Sequence, residues 1–230
     1  MVRSWIPCNW SLFMQKITRK HLRAFLEQHA TETVVLDIGA GHVSSNHSYT
    51  QFFPNRHTVD IDPARQPDTI GDIHSLPFAD ASFEVVLCTE VLEHCTEPHT
   101  AISELYRVLQ PGGKCILTTR FMFPLHDAPH DYFRFTKYGL QHLFRDWNDV
   151  AIEAETQTLS ALGALFQRLG FQTTLRGGKG TKALVYASAW LLDRLNFLLR
   201  EEFGNIQKTQ SETTIMSTGY YVVAYKPITS

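Results

Sequence analysis

The chain has 230 residues, 43% of them hydrophobic and 12% aromatic, enough to bury one substantial core but cramped for two full domains. With 21 basic and 23 acidic residues its formal charge is −2, which gives no global attraction to nucleic acid. Cys8, Cys88, Cys95 and Cys115 form no CxxC pair and suit free thiols, and Lys16, Arg19, Lys20 and Arg23 interrupt any apolar leader, so the cytoplasm is the expected location.

In chain order, the first predicted element is an amphipathic helix from Ser11, its N-cap, to about His29, with Leu12, Phe13, Ile17, Leu22, Phe25 and Leu26 at helical spacing. Val34 to Ile38 reads as a short buried strand, Ser48 to Phe53 as a brief helix stopped by Pro54, and His57 to Ile61 as a second strand. Ser82 to Cys88 is another apolar strand, Glu97 to Leu109 a helix, and Pro111-Gly112-Gly113 a turn into a strand over Lys114 to Thr119. Beyond Val150 the pattern loosens. A strand is expected to Gln157, a helix over Ala161 to Leu169, a flexible loop over Gly177 to Gly180, a longer helix over Ala183 to Leu199, and a closing strand over Tyr220 to Tyr225. Strands alternating with helices imply an α/β fold, a mainly parallel sheet with helices on both faces, whose ligands bind beyond the carboxyl ends of the strands.

The stretch VVLDIGAGHVSSNHSYT runs from an apolar strand into small residues. Asp37 followed by Gly39-Ala40-Gly41 suits main-chain N–H groups brought close to a ligand, where side chains would block the approach. A P-loop is absent and the nicotinamide fingerprint fails, because Ser44 occupies its third glycine position. Asp60 ends the second strand 23 positions after Asp37, where a carboxylate can accept both ribose hydroxyls of a nucleoside. GDIHSLPF, FEVVLCTEVLEH and PGGKCILTT follow in order.

With these four segments the sequence resembles the class I S-adenosylmethionine-dependent methyltransferases of the small-molecule, type 11 kind, over roughly Val34 to Leu143. The resemblance implies a Rossmann-like, doubly wound, mostly parallel seven-stranded sheet with an antiparallel C-terminal strand and a helical insertion. Residues 1–30 would form an N-terminal helical cap and 31–150 the S-adenosylmethionine-binding core. Residues 151–230 would complete the same domain, with the insertion at about 160–205 and the final strand at about 219–226. S-adenosyl-L-methionine is the implied cofactor: Asp37, Gly39 and Gly41 would line its methionine end and Asp60 would hold its ribose, with Ile61 on the adenine face, Asp72 with Ile73 at the adenine edge, and Ala40 and Glu90 as further cofactor-binding residues. Val43 stands where a third glycine is common in the family, and the bulk of His42 is expected to narrow the pocket.

Methyl transfer from a sulfonium needs an aimed nucleophile, water exclusion and, for a hydroxyl acceptor, a base. Two clusters offer one. Glu90, Glu93 and His94 share a face if they lie on a helix, able to hold a base paired to a carboxylate, a divalent metal, or a network that fixes the strand. In HDAPHDYFRFT, Pro129 forbids a regular helix through His126 and His130. That segment reads as acceptor-binding through Asp127, Asp131, Tyr132 and Arg134, or as an ordered loop. The catalytic candidates are His94, His126 and His130, and the site is read without a metal.

From Ser160 to Arg200 six basic residues face the single acid Asp193. The apolar helix over Ala183 to Leu199 is too short and too charged for a membrane span. It suits sheet or homodimer packing, a lid over an apolar or lipid-linked acceptor, or peripheral contact with anionic lipid. The expected function is methyl transfer to a small-molecule, glycan or lipid-linked acceptor, at oxygen ahead of nitrogen or carbon. The alternative is a non-catalytic protein that binds S-adenosylmethionine or S-adenosylhomocysteine, and a nucleotide-sugar or nicotinamide enzyme is a poorer third.

Overall fold

Val35–Ile38 (β1) buries all four of its residues, the signature of a central strand covered on both faces. In the computed structural model, which describes residues 16–42 and 49–228, β1 pairs in parallel with Arg56–Asp60 (β2) on one side and Phe83–Thr89 (β4) on the other. Thr69–Ile70 (β3) extends the sheet beyond β2, and Leu109–Arg120 (β5) lies parallel to β4. Gly219–Tyr225 (β9) then inserts antiparallel between β5 and Asn148–Ala154 (β6), giving the order β3-β2-β1-β4-β5-β9-β6. The seven-stranded, mostly parallel sheet implied by the resemblance is present, with its antiparallel C-terminal strand. Strand order reverses between β1 and β4, and a crevice beyond their carboxyl ends is the consequence.

The chain divides into two compact bodies. The sheet body comprises Leu22–Glu155 and Ser217–Ser230. On one sheet face Pro98–Val108 (α2) buries Ala101, Ile102, Leu105 and Val108 against Val86, Leu109 and Leu117, while Lys137–Leu143 (α3) adds Leu140. On the other face Phe25 and Leu26, from Ile17–Gln28 (α1), join Phe53, Leu87 and Ile116, and Phe25 stacks on Tyr221 with ring centroids 4.4 Å apart. The proposed Ser11 cap, Leu12, Phe13, Cys8, Val43, Ser44 and Ser48 lie outside the described residues. The brief helix expected before Pro54 is a single 3-10 turn over Thr50–Phe52. Leu109 to Gly113, expected as a helix end and turn, belong to β5, because Leu109 already pairs with Phe83. Cys88, Cys95 and Cys115 are buried free thiols, and burial pushes the Cys95 and Cys115 thiols up to about 12.

The second body comprises Met1–His21 and Thr156–Met216. Its helices, Thr158–Gln172 (α4) and Gly178–Arg194 (α5), pair Ser160 with Asp193, Gly163 with Ala189 and Gly170 with Tyr186, an antiparallel arrangement. This packing corrects two sequence expectations. Gly178 to Gly180 form the first turn of the helix rather than a loop, with Gly177 before them at φ +86°. The long helix stops at Arg194 rather than Leu199, because Asn196 turns its side chain to α4 and its Oδ1 accepts from the N–H groups of Leu159 (3.0 Å) and Ser160 (3.3 Å). Glu202–Phe203 (β7) and Ser211–Glu212 (β8) form a small hairpin. Among the described residues no helix is long and apolar enough to cross a membrane.

Candidate active site

A cavity of about 670 Å³ opens at the carboxyl ends of β1, β2 and β4. Its wall includes Ile38 and Gly39 at the end of β1, Asp60 and Ile61 at the end of β2, Asp72 and Ile73 beyond β3, and Glu90 after β4. His94, Asp127, His130 and Tyr132 continue the same wall. Ten of the sixteen candidate residues thus meet at one cavity; Asp37, Ala40, Gly41, His126, Asp131 and Arg134 are placed elsewhere.

Asp60 is almost fully buried, and its Oδ1 accepts from the Asp62 N–H at 2.8 Å while Oδ2 lies 3.3 Å from Arg65. These partners fix the carboxylate and leave it acceptor capacity for a ligand hydroxyl. Burial raises the Asp72 carboxyl, but hydrogen bonds from the His74 N–H and ring outweigh it and hold the group below its ordinary value. Ile61 is exposed, as an apolar platform for a flat ligand would be.

Asp37 is turned away from the cavity. Strand alternation buries it completely, where its Oδ2 accepts from Arg56 at 2.6 Å, and burial outweighs that ion pair to raise the carboxyl to about 6. Ala40 is buried and Gly41 is not on the wall. The glycines answer to the chain itself: Gly39 has φ +74°, and a Cβ there would stand 2.4 Å from Val91 Cγ2, while one on Gly41 would stand 2.2 Å from the Arg65 carbonyl oxygen. His42 is drawn aside, Nε2 3.0 Å from Asp68 Oδ1, and does not narrow the cavity.

Glu90, Glu93 and His94 share no helical face. Glu90 adopts φ +57° and Leu92–His94 form a 3-10 turn, so no continuous helix carries the three on one face. Glu90 accepts from the Arg120 guanidinium at the cavity edge. Glu93 is fully buried, takes the Thr119 hydroxyl on Oε2 at 2.8 Å, and has its carboxyl raised by burial. His94 Nδ1 lies 2.6 Å from the His130 carbonyl oxygen, and the Glu93 carbonyl accepts from the N–H groups of Tyr132 and Phe133 at 3.0 and 3.1 Å. The loop after β5 is thereby strapped over this turn.

Within that loop, Arg134 does not face an acceptor. Its Nε donates to the Phe123 carbonyl, Nη1 to Asp131 and the Phe133 carbonyl, and Nη2 to the Pro124 carbonyl and Asp131, which commits all five donors. Asp131 is spent on Arg134 and on the His126 N–H. Both order the loop rather than line the cavity. His126 is off the wall, its ring beside those of His94 (4.9 Å) and Phe123 (5.2 Å), and burial lowers it below the usual histidine value. Glu93, His94 and His126 each place one ligand atom within 4.8 Å of the others, a set able to hold a divalent cation.

Sequence reasoning missed Arg65, His74, Cys95 and Thr96 on the wall, and the buried pair of Arg120 with Glu155 at 2.6 Å. Arg120 and Glu155 carry no short-range motif.

Residues 36–117, all within the sheet body, match the methyltransferase domain family. The malonyl-[acyl-carrier protein] O-methyltransferase of Herminiimonas arsenicoxydans is 36% identical over 105 residues, 41% of this chain and 40% of that protein. The demethylmenaquinone methyltransferase of Renibacterium salmoninarum is 34% identical over 93 residues, 36% of this chain and 39% of that protein. The chain therefore spans less than half the length of either relative. In fold, it is similar to phosphoethanolamine N-methyltransferase 2 of Haemonchus contortus, solved with S-adenosyl-L-methionine, at a TM-score of 0.56, 16% identity, and coverage of 90% of this chain and 52% of that one. A Haloferax volcanii putative methyltransferase solved with its Trm112 activator gives a TM-score of 0.55 at 13% identity, covering 97% of this chain and 100% of that one. Strand order, cavity position and sequence likeness converge: residues 36–117 match a methyltransferase domain, and the sheet around them has the fold of the class I S-adenosylmethionine-dependent methyltransferases.

Proposed function

We propose that this protein transfers a methyl group from S-adenosylmethionine to a small-molecule acceptor, at oxygen, within the cavity beyond β1, β2 and β4. The observation that carries the reading is the placement of Asp60 and Asp72 at successive positions along the wall of one 670 Å³ cavity that Gly39 and Glu90 also line. A cavity of that size suits a nucleoside-sized ligand. Asp60 holds the ribose hydroxyls, Ile61 covers the adenine face, and Asp72 with the Ile73 main chain meets its edge. Gly39 and Glu90 lie at the methionine end, while Asp37, Ala40 and Gly41 support that turn from behind.

Bound there, the cofactor supplies an electrophilic methyl group whose departure leaves a neutral thioether. The chain's own work is to aim the acceptor and take its proton. His130 stands on the wall with Nδ1 3.2 Å from the Tyr132 hydroxyl, leaving Nε2 to accept the proton of an acceptor hydroxyl as the O–C bond forms. Asp127, on the same wall, offers a carboxylate to a second acceptor hydroxyl. The malonyl-[acyl-carrier protein] relative, an O-methyltransferase, supports oxygen as the methylated atom. A lipid-linked acceptor is supported by exposed Leu184, Leu191, Phe197 and Leu198 amid the basic residues of 160–200.

Titration calorimetry tests the cofactor site. Asp60→Ala should weaken S-adenosylmethionine and S-adenosylhomocysteine alike by roughly 30- to 100-fold, the loss of about 2–3 kcal/mol expected of charge-assisted hydrogen bonds. Unchanged affinity would remove Asp60 from the site. A second reading, cofactor binding without transfer, is favoured by the commitment of Arg134 and Asp131 to each other rather than to an acceptor. Labelled methyl groups appearing on an acceptor from cell extract decide against it.

A further inference from the structure

Beneath the loop that follows β5, three side chains present unshared electron pairs to one another. Glu93 is wholly buried, and its Oε1 has no hydrogen-bond partner even though Oε2 takes the Thr119 hydroxyl. A buried carboxylate oxygen left unpaired is costly and calls for a partner. His94 Nδ1 sits 2.6 Å from the His130 carbonyl. A carbonyl can only accept, so Nδ1 carries the ring proton and Nε2 keeps the lone pair. His126 shows a similar arrangement: Nδ1 is 3.3 Å from Asp131 Oδ2, close enough for an ion pair though not aligned as a hydrogen bond, while Nε2 is 3.9 Å from Glu93 Oε1.

A direct His126 to Glu93 hydrogen bond is the competing explanation, but 3.9 Å is too long for one and leaves Oε1 unsatisfied. Histidines whose second nitrogen faces a carbonyl or carboxylate are typical of metal ligands, because that contact fixes the tautomer and raises the basicity of the ligating nitrogen. One atom each of Glu93, His94 and His126 falls within a 4.8 Å group. Ligands at about 2.0–2.2 Å from a zinc-sized ion stand about 3.5 Å apart, so the set needs to contract by only about 1 Å. Glu90 is not part of it, because the Arg120 guanidinium occupies its carboxylate.

We propose that Glu93, His94 and His126 bind one divalent transition cation of the zinc class, its remaining coordination position directed to the cavity wall that His94 shares. Two imidazoles and one carboxylate with an open position form the ligand set of catalytic rather than structural zinc. The binding site stands on its own geometry, whereas its role rests on the methyl-transfer reading. There the cation would bind the acceptor oxygen and lower the pKa of its hydroxyl. The proton passes to His130, the O–C bond forms as the C–S bond breaks, and the methylated acceptor and S-adenosylhomocysteine result.

The test uses the full chain freed of metal by a chelator, then titrated with zinc chloride and with cobalt(II) as a visible-absorption probe. One ion per chain is expected, with tetrahedral-type cobalt bands and a metal-dependent rise in melting temperature. His94→Gln and His126→Gln should each weaken uptake by about 10- to 100-fold and abolish those bands. Circular dichroism confirms that these half-buried variants fold, so the result does not depend on a Glu93→Gln variant with an altered core. Failure to take up one ion per chain, or undiminished uptake by both histidine variants, overturns the proposal. Calorimetry with S-adenosylmethionine on the metal-free chain keeps the two readings apart: cofactor binding that persists where cation uptake fails sinks this site alone.

Discussion

Asp37 sits in the middle of a fully buried strand, and its carboxyl titrates accordingly. Burial raises it from 3.8 to about 6 against the pull of Arg56. Between those values the folded chain retains a proton that the unfolded chain releases, so stability falls as pH rises across the window, and the full cost is present above it. Asp37→Asn keeps a polar group beside Arg56 and should remove that fall, a relative gain of up to about 3 kcal/mol at pH 7 over pH 4. Urea melts of both proteins at the two pH values check this, and parallel pH profiles would show that Asp37 is ionised throughout. The misplacement of Asp37 in the sequence reading has the same origin. Spacing from Asp60 puts it near a strand tip, but which side of the strand faces the ligand depends on how β1 enters the sheet. Asp60 closes its strand and Ile61, Asp72 and Ile73 follow strand ends, and there the sequence position suffices.

At the scale of elements, α4 and α5 approach each other over small residues. A Cβ on Gly163 would lie 2.7 Å from the Ala189 carbonyl oxygen, a backbone atom that cannot move without the helix. Gly163→Leu should therefore cost more than about 3 kcal/mol and lower the melting temperature by several degrees, beyond ordinary surface effects. A calorimetric scan superimposable on that of the unsubstituted chain would show that the two helices do not meet there. Helical periodicity found both helices, yet it placed a loop at Gly177 to Gly180 and ran the second helix to Leu199, because local propensity carries no information about the partner helix or the Asn196 cap. The HDAPHDYFRFT loop was recognised from its composition. The division of labour within it, with Asp127, His130 and Tyr132 on the wall while Asp131 and Arg134 order the chain, exists only once the loop is strapped to the Glu93 turn.

At the scale of the whole molecule, the far edge of the sheet closes on a buried charge network. Arg120 at the end of β5 is held by Glu155 at 2.6 Å, whose carboxylate also accepts from Thr218 at 2.6 Å and from Tyr221 at 3.1 Å on β9. Burial, with Glu155 alongside, pushes the Tyr221 hydroxyl up, so it stays a donor. Glu155→Ala removes one shared acceptor from three buried donors, Arg120, Thr218 and Tyr221, and should cost about 3–5 kcal/mol in cooperative unfolding, whereas Glu155→Gln should cost less. A loss below 1 kcal/mol for the alanine variant would mean that this network is not part of what closes the sheet. By itself the sequence determined the alternation of strands and helices, the parallel core, and the order of the carboxylates that follow its strands, because these depend on hydrophobic period and spacing along the chain. Only the tertiary structure decided which side of each strand met the cavity, which polar groups were consumed by one another, and which electron pairs were left free. Those outcomes turn on contacts between residues far apart in sequence, and on burial, which no local pattern specifies.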